Sequence, residues 1–283
     1  MDQKAENIMK LEVLMSAMHQ KDFSIAYRSK IDSDLLIINQ CDENRYDEIE
    51  VNGHTWRMIS TTERGASRSR NMALDNARGD ICLLADDDEE LTDGYADHIM
   101  RAYETLPDAT AIAFNLNRIN YSMKKTYYRI EKIRVAPLYR NYGNPMFSFC
   151  LVDIKQHNIR FNEKFGSGTP WGGGEDSLFQ DDIRKKKMKI YEHPFEIATI
   201  DYSCGSSWFH GYTEKYFYNL GAFLAYKYKY NFLPKTLRTV YICFYKLRKD
   251  KTLTPFQRMK WVRLGEKGIK KNITYAEYKE GKK

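Results

Sequence analysis

Short apolar runs alternate with polar turns and helical segments through the first two thirds of the chain. The runs Leu11–Met15, Leu35–Asn39 and Ile81–Ala85 are mainly aliphatic and end abruptly at polar residues. Runs of this length and composition are typical of strands that are buried on both faces. Two segments of helical character, Phe23–Lys30 and Ala66–Ala77, lie between them. This order predicts an α/β fold with a mainly parallel sheet and crossover helices.

Further elements are predicted across the middle of the chain. Strands are expected at Trp56–Ile59, Ala111–Asn115, Met146–Asp153 and Lys189–Tyr191, and helices at Gly94–Leu106 and Glu175–Lys187. Ser16–Asp22 is expected to be a polar turn, and the glycine-rich segment Gly166–Gly174 a loop. Asp93 is expected to cap the helix that follows it, and Gly79 to stop the helix before it.

The pattern changes after Gly211, where amphipathic helical segments replace the strand runs. Thr213 is expected to cap a helix to about Tyr230, and Pro234 to begin another to about Leu247. Thr254 and Gln257 form a capping-box pattern, which predicts a helix to about Gly268. We therefore expect two domains, a nucleotide-sugar-binding catalytic domain over 1–211 and a basic, aromatic helical extension over 212–283.

Charge is divided unevenly between these two parts of the 283-residue chain. The net charge is +7, but Tyr212–Lys283 holds 18 Lys and Arg against 5 Asp and Glu, a net charge of +13. The preceding part holds 27 basic and 33 acidic residues, a net charge of −6. An acidic body suits a metal-bound substrate, whereas a basic, aromatic tail suits an anionic surface, either lipid or nucleic acid. The alternative for the tail is a helical appendage whose charges are merely solvated.

Cysteine usage and hydropathy limit the classes of protein. Five scattered cysteines without a CxxC pair indicate neither a disulfide framework nor a zinc site. The sequence has no run of about 18 apolar residues and no signal-peptide pattern at Met1–Lys10. We expect a cytoplasmic protein, with peripheral contact to the inner face of the cell membrane as an additional expectation.

The acidic stretch Asp80–Leu91 (DICLLADDDEEL) carries the first chemical signal. The buried run ends at Asp86, Asp87 and Asp88, where open α/β sheets bind ligands. Three adjacent carboxylates repel one another, and a cation or a set of hydrogen-bond donors would offset that repulsion. Oxygen ligands suit Mg²⁺ or Mn²⁺ shared with substrate phosphates. The alternative is a solvated acidic turn.

Two further motifs are individually weak. Trp171–Asp176 (WGGGED) combines glycines, which allow close approach of a ligand, with two carboxylates at a helix start that suit a general base. A glycine-rich loop before an acidic helix start is the alternative. Arg64–Asn71 (RGASRSRN) places three arginines where a helix begins, which suits diphosphate binding, or forms a solvated basic face.

Together the RGxSxSRN helix, the strand ending in ADDD and the later GGGED segment resemble the inverting GT-A glycosyltransferases of the family 2 type. The similarity is strongest to bacterial enzymes that build surface polysaccharides such as capsule or lipopolysaccharide, and it covers roughly Leu11–Gly211. It implies a Rossmann-like GT-A fold and a divalent cation, Mn²⁺ or Mg²⁺. It also implies a nucleoside-diphosphate sugar donor, with UDP favoured, and a glycan or lipid-linked glycan acceptor.

The resemblance also assigns roles to residues. Asp176 would be the catalytic base and Glu175 would help to orient the acceptor. The donor would contact Ser16, Asn39, Asp42, Arg64, Arg70, Asn71, Asp86 and Asp87. The metal would be held by Asp87, Asp88 and His210, although which two of the three aspartates form the DxD pair stays open. Trp171, Gly173, Gly174 and Trp208 would contact the sugar or the acceptor.

The implied reaction is a single displacement with inversion, in which Asp176 takes the proton of the acceptor hydroxyl. Two other classes stay open at this point. A nucleotidyltransferase also holds a metal with strand-end carboxylates but does not need GGGED. A nucleic-acid-binding protein would use the basic tail, although the acidic body and the missing binding motif count against it. We expect no nucleic-acid partner, and the sequence does not indicate an oligomeric state.

Overall fold

The computed structural model describes residues 9–120, 128–203, 211–229 and 231–281. The chain divides into two compact units. The first comprises the described residues of Met1–Asn162 and Asp176–Gly205. The second comprises those of Glu163–Glu175 and Ser206–Lys283, so that the glycine-rich loop groups with the C-terminal helices.

A ten-stranded mixed sheet forms the centre of the first unit, in the order β3-β4-β2-β1-β5-β9-β7-β10-β6, with β8 paired to β10. The strands are β1 Leu11–Met18, β2 Asp34–Gln40, β3 Arg45–Val51, β4 His54–Thr61, β5 Ile81–Asp86, β6 Glu89–Leu91, β7 Ala109–Ile119, β8 Arg134–Val135, β9 Phe147–Cys150 and β10 Lys189–Asp201. Strands β4, β2, β1 and β5 run parallel. Their aliphatic side chains are almost wholly buried, which explains the continuous apolar runs.

Helices cover this sheet, and the register of its strands fixes where polar groups meet. The helices of the first unit are α1 Ser24–Arg28, α2 Ala66–Asn76, α3 Tyr95–Thr105, α4 Leu151–Gln156 and α5 Glu175–Lys185. Ser16 in β1 lies opposite Asp86 in β5. The carboxyl ends of β1, β2 and β5 therefore share one edge of the sheet, where an α/β fold binds its ligand.

Several predicted elements differ from the observed ones. Ser16–Met18 continues β1 instead of beginning a turn, and the expected strand Met146–Asp153 is correct only for Phe147–Cys150 because the chain turns into α4 at Leu151. Asp93 does not cap α3; Gly94 holds that position. The short strand Lys189–Tyr191 is the start of β10, which continues past Pro194 through a bulge between Glu192 and Glu196. A bulge accommodates proline because its missing N–H leaves no ladder bond broken.

A buried ion pair stabilises the amino-terminal end of the sheet. The Arg57 guanidinium lies 2.5 Å from the Glu12 carboxylate, and both residues are at most 3% exposed. The second oxygen of Glu12 accepts the backbone N–H groups of Arg78 and Gly79. A Cβ at Gly79 would lie 2.6 Å from the Cβ of Glu12, so this glycine is required by close packing, and its φ is not positive as a stop signal would be.

The described part of the second unit forms the helices α6 Glu214–Tyr228, α7 Phe232–Val240, α8 Pro255–Lys271 and α9 Tyr275–Lys279, with a π-helical stretch Tyr241–Lys246 after α7. Thr213 caps α6 and the Thr254–Gln257 capping box begins α8, which confirms both predictions. Helices α6 and α8 cross closely, because a Cβ at Gly221 would lie 2.0 Å from the Val262 carbonyl oxygen. Within the described residues, no helix combines the length and apolar character needed to cross a membrane.

Candidate functional site

The acidic triad forms the turn that leaves the edge of the parallel sheet. Asp86 is the last residue of β5, and Asp87 and Asp88 make the turn into β6. The carboxylate of Glu89 accepts the backbone N–H of Asp86 and holds the turn closed. β6 then pairs with β10, which fixes the turn on its other side. The three aspartates therefore stand on an anchored turn.

The surroundings of this turn disfavour negative charge. Asp87 and Asp88 are exposed residues, yet partial loss of hydration at the turn raises the pKa of each, and the neighbouring Asp86 carboxylate raises both further. Glu89 is 5% exposed, and burial raises its pKa well above the ordinary range, with a further contribution from Asp86. Its second carboxylate oxygen, Oε2, is buried without a hydrogen-bond partner among the described residues. A bound cation would relieve this accumulation of carboxylates.

Arg70 connects the acidic turn to the carboxylate of the GGGED segment. Its guanidinium lies 3.0 Å from Oδ1 of Asp86 and 3.7 Å from Oδ1 of Asp176. The Asn144 side-chain amide also donates to Oδ1 of Asp176, at 2.5 Å. Arg70 is 8% exposed and lies over the ring of Phe161 at 5.7 Å, which limits its movement. Asp176 is thereby held beside the strand-end carboxylates by the Asn144 hydrogen bond and the Arg70 ion pair.

Helix α2 is aligned on the same edge through its polar face. The Ser69 hydroxyl lies 2.8 Å from the Ser16 hydroxyl of β1. The Asn71 amide exchanges two hydrogen bonds with the backbone of Phe161, at 2.9 and 3.0 Å. This geometry supports a structural role for Asn71, because its amide holds the backbone that carries the ring under Arg70.

Two of the expected nucleotide-contacting residues lie at the carboxyl end of β2, Asn39 within the strand and Asp42 just after it, and their surroundings differ. The Asn39 side chain is 1% exposed and bonds both backbone groups of Gln20 and the hydroxyl of Ser60. It shapes the loop after β1 instead of facing an open surface. The carboxylate of Asp42 is largely exposed and pairs with Arg64 at 2.7 Å. Of these two residues, Asp42 is therefore the one that a ligand can reach.

In the second unit, packing explains part of the glycine run. Gly174 has φ +102°, and a Cβ there would lie 2.5 Å from the ring of Phe223 in α6. Gly173 has φ +78° and nothing within 4 Å of its Cβ position, so its backbone is open to approach. Trp171 is 1% exposed and packs near Phe165, and its Nε1 has no hydrogen-bond partner among the described residues. Glu175 is also largely buried.

The acidic turn offers oxygen ligands that suit a divalent cation, but the described side chains do not form a complete metal site. Across the described ranges, no group of three or more His, Cys, Asp or Glu side chains is arranged to hold a metal. A GT-A type cation would therefore take one or two carboxylates from Asp86–Asp88 and further oxygens from substrate phosphates and water. Trp208 and His210 lie outside the described residues, so their expected roles stay predictions.

Two residues that shape this site belong to no sequence motif. Asn144 lies in a short 3₁₀ turn, Asn144–Met146, before β9, and Phe161 follows α4. Neither belongs to a motif, and each reaches the site only through the long-range packing of its element. An asparagine beside a proline and a lone phenylalanine carry no local signal that could have identified them.

Comparison with known proteins supports the fold and its family. The model of the family described as glycosyl transferase family 2 matches residues 12–178. Among solved structures, S. aureus TarS 1-349 in complex with UDP-GlcNAc superposes with a TM-score of 0.61 at 14% identity, covering 94% of this chain and 93% of that one. The same protein in complex with UDP gives a TM-score of 0.56 at 11% identity, with the same coverage. No curated protein sequence matches the chain.

Proposed function

We propose a reaction for this chain from one premise: it belongs to glycosyl transferase family 2 and is a glycosyltransferase with a GT-A fold. This premise decides between the two enzyme classes that the sequence left open. The proposed reaction moves a sugar from a nucleoside-diphosphate donor to a hydroxyl of a glycan or lipid-linked glycan acceptor. It proceeds with inversion in a single displacement and depends on a divalent cation.

The observation that carries the proposal is the position of Asp176 beside the acidic turn. Arg70 contacts Asp86 and Asp176 at 3.0 and 3.7 Å, so the GGGED carboxylate and the strand-end carboxylates belong to one site. An inverting transfer needs a base next to the donor so that an acceptor hydroxyl can attack as it loses its proton. Asp176 is the carboxylate in that place, and Asn144 orients it through Oδ1.

The remaining residues of the first unit position the reactants. Arg70 balances part of the charge of Asp86 and Asp176 and holds the two carboxylates in one site. The Asp86–Asp88 turn would hold Mn²⁺ or Mg²⁺, which when bound stabilises negative charge on the leaving diphosphate. We assign this chemistry to a catalytic domain over 1–211, with 212–283 as an extension that serves the acceptor or a membrane surface.

A uridine donor is the favoured choice. S. aureus TarS, whose fold resembles that of this chain, is known in complex with UDP-GlcNAc and with UDP. Asp42, just after β2, and Arg64, just before α2, form an ion pair with exposed hydrogen-bonding groups that a nucleotide base can reach. We propose that a UDP-sugar binds with its diphosphate at the acidic turn and its base toward this pair.

The experiment that tests the proposal is the substitution Asp176→Asn. This change keeps the shape of the side chain and removes its basicity, so sugar transfer should fall by at least about a hundredfold while UDP binding stays nearly unchanged. Asp182→Asn is the matched control, because it makes the same change on the same helix at a half-exposed side chain whose ion pair with Lys185, at 2.7 Å, lies on the surface.

Three results would contradict the proposal. Full activity in Asp176→Asn would remove the proposed base, and joint loss of transfer and UDP binding would make Asp176 structural. The third concerns stereochemistry, which proton NMR of the product's anomeric centre reports directly. A product with the donor's anomeric configuration would exclude a single inverting displacement.

A further inference from the structure

The π-helical stretch and α7 together present an apolar stripe on their outward side. Leu233, Leu237, Tyr241 and Tyr245 recur every four residues and are 67%, 61%, 48% and 62% exposed. We call these four residues the α7 stripe. The neighbouring Phe232 is 73% exposed. So many large apolar side chains on one exposed surface mark an interaction site, because isolated proteins rarely leave such an area in water.

The α7 stripe is not the face that holds α7 in the fold. Thr239, Ile242, Cys243 and Leu247 form the buried side of the same helical segment. The last three belong to a core cluster with Phe217 and Val262. Residues two positions apart on a helix point about 200° away from each other, so Tyr241 and Tyr245 face roughly opposite to Thr239 and Cys243. The segment is therefore apolar on two sides, of which the core uses one.

Basic residues surround this outward surface. Between Phe232 and Lys267 the sequence contains ten Lys and Arg and two Asp and Glu, a net charge of +8. Of the ten, Arg258 is buried and Lys235 is paired with Glu266, whereas the other eight are exposed. Arg238, on α7 itself, lies over the Tyr241 ring at 5.8 Å. On α8, Phe256 is 76% exposed and contacts Phe244, and a shallow pocket of about 270 Å³ follows along Met259, Lys260, Arg263 and Lys267. Apolar and cationic groups are thus interleaved across both helices.

We propose that the α7 stripe and the basic residues around it dock this protein on the surface of an anionic phospholipid bilayer. Leucine and phenylalanine side chains would enter the headgroup–acyl boundary, tyrosines would sit at the headgroup level, and Lys and Arg would pair with lipid phosphates. A second copy of the chain fits less well, since pairing this surface with itself would oppose two faces of like charge. Nucleic acid fits less well too, because exposed leucines have no counterpart among phosphates and bases. The proposal does not depend on the reaction proposed above.

Vesicle flotation with the full chain tests this proposal. The unaltered protein should float with vesicles of phosphatidylcholine and phosphatidylglycerol, less so at high salt, and far less with phosphatidylcholine alone. The double variant Leu233→Glu/Leu237→Glu should weaken binding by about tenfold or more, because two insertion contacts are replaced by charges that anionic lipid repels. Leu138→Glu, an equally drastic change at a residue that is 80% exposed in the first unit, is the matched control and should bind normally.

A second variant addresses the charge contribution without touching the apolar residues. Arg238→Gln/Lys249→Gln alters two exposed positions and should weaken binding to anionic vesicles by about fivefold per charge. Circular dichroism verifies that each variant is folded. The proposal is overturned if the unaltered protein does not float, or if it floats equally with neutral vesicles. It is also overturned if sedimentation shows self-association that the Leu233→Glu/Leu237→Glu variant abolishes, since the surface would then bind a second copy.

Discussion

Replacing Arg70 tests whether the contact between the acidic turn and Asp176 is functional. Arg70→Lys keeps the positive charge but loses the planar fork, so one ammonium cannot serve Asp86 and Asp176 in the same way. Arg70→Met removes the charge and keeps much of the stem that lies over Phe161. The two variants separate the contribution of charge from that of geometry.

The expected loss of stability follows from the distances between Arg70 and its two carboxylate partners and from the exposure of those carboxylates. At 3.0 and 3.7 Å and an effective dielectric constant of about 20, each attraction is on the order of 4 kcal/mol before desolvation is subtracted. Asp86 and Asp176 retain 35% and 28% exposure, so solvent screening offsets most of this gain. We expect a loss of about 1 kcal/mol in unfolding free energy for Arg70→Lys and about 2–3 kcal/mol for Arg70→Met.

Activity should fall more steeply than stability in Arg70→Lys. Misplacing the base by a fraction of an ångström costs about 10- to 100-fold in kcat/KM. Urea unfolding and donor-dependent transfer measure the two quantities in the same samples. Arg160→Lys is the control, since it weakens an exposed bidentate pair with Asp75 and should leave kcat/KM unchanged. If Arg70→Lys keeps the stability and the kcat/KM of the unaltered protein, the contact of Arg70 with Asp86 and Asp176 has no functional role.

Two further predictions concern buried and crowded carboxylates. Glu12→Gln leaves the buried Arg57 without its counter-charge and should lower the free energy of unfolding in urea by about 3 kcal/mol. Glu90→Gln, at an exposed pair with Lys30, should lower it by under about 0.5 kcal/mol, and equal effects would contradict the role of burial. Without divalent metal, Asp88→Asn should stabilise the protein at neutral pH by on the order of 0.5 kcal/mol, after discounting for solvent screening. The pKa of Asp88 is raised in the folded protein, so the native state binds this proton more tightly than the unfolded chain does. The loss of folding stability caused by ionising Asp88 therefore grows as pH rises from about 3.9 through the raised pKa. The extra stability of Asp88→Asn should therefore vanish as pH falls through this range. Extra stability that persists at low pH would contradict the assignment of the effect to the Asp88 charge.

The parallel centre of the fold could be predicted because local pattern and burial agree there. β1, β2 and β5 are buried on both faces, so their sequences read as uninterrupted apolar runs. β3 was missed because RYDEIEV has almost no apolar face, as suits an exposed edge strand. The Asn52–Gly53 turn after it, with φ +51° and +82°, carries the Asn-Gly pair that favours a two-residue hairpin.

Only the residues of the candidate site that belong to sequence motifs could be predicted. Asp86–Asp88, Arg70 and Asp176 belong to motifs, and the structure brings Arg70, Asp86 and Asp176 together. Side-chain partners chosen by tertiary packing were beyond sequence reasoning. Asn39 looks like a ligand-contacting residue at a strand end, yet its amide is used by the backbone of Gln20.

Thermal unfolding with and without nucleotide is the most direct test of whether the acidic turn binds a nucleoside-diphosphate donor through a metal ion. UDP at about 100 times its dissociation constant, with Mn²⁺, should stabilise the protein by about 2.7 kcal/mol, which corresponds to a rise of roughly 5–10 °C in Tm. The rise should depend on the metal, and the double variant Asp87→Asn/Asp88→Asn should abolish it. If neither UDP nor any other nucleoside diphosphate shifts the Tm, with or without Mn²⁺, the acidic turn does not bind a donor and the account of this site is contradicted.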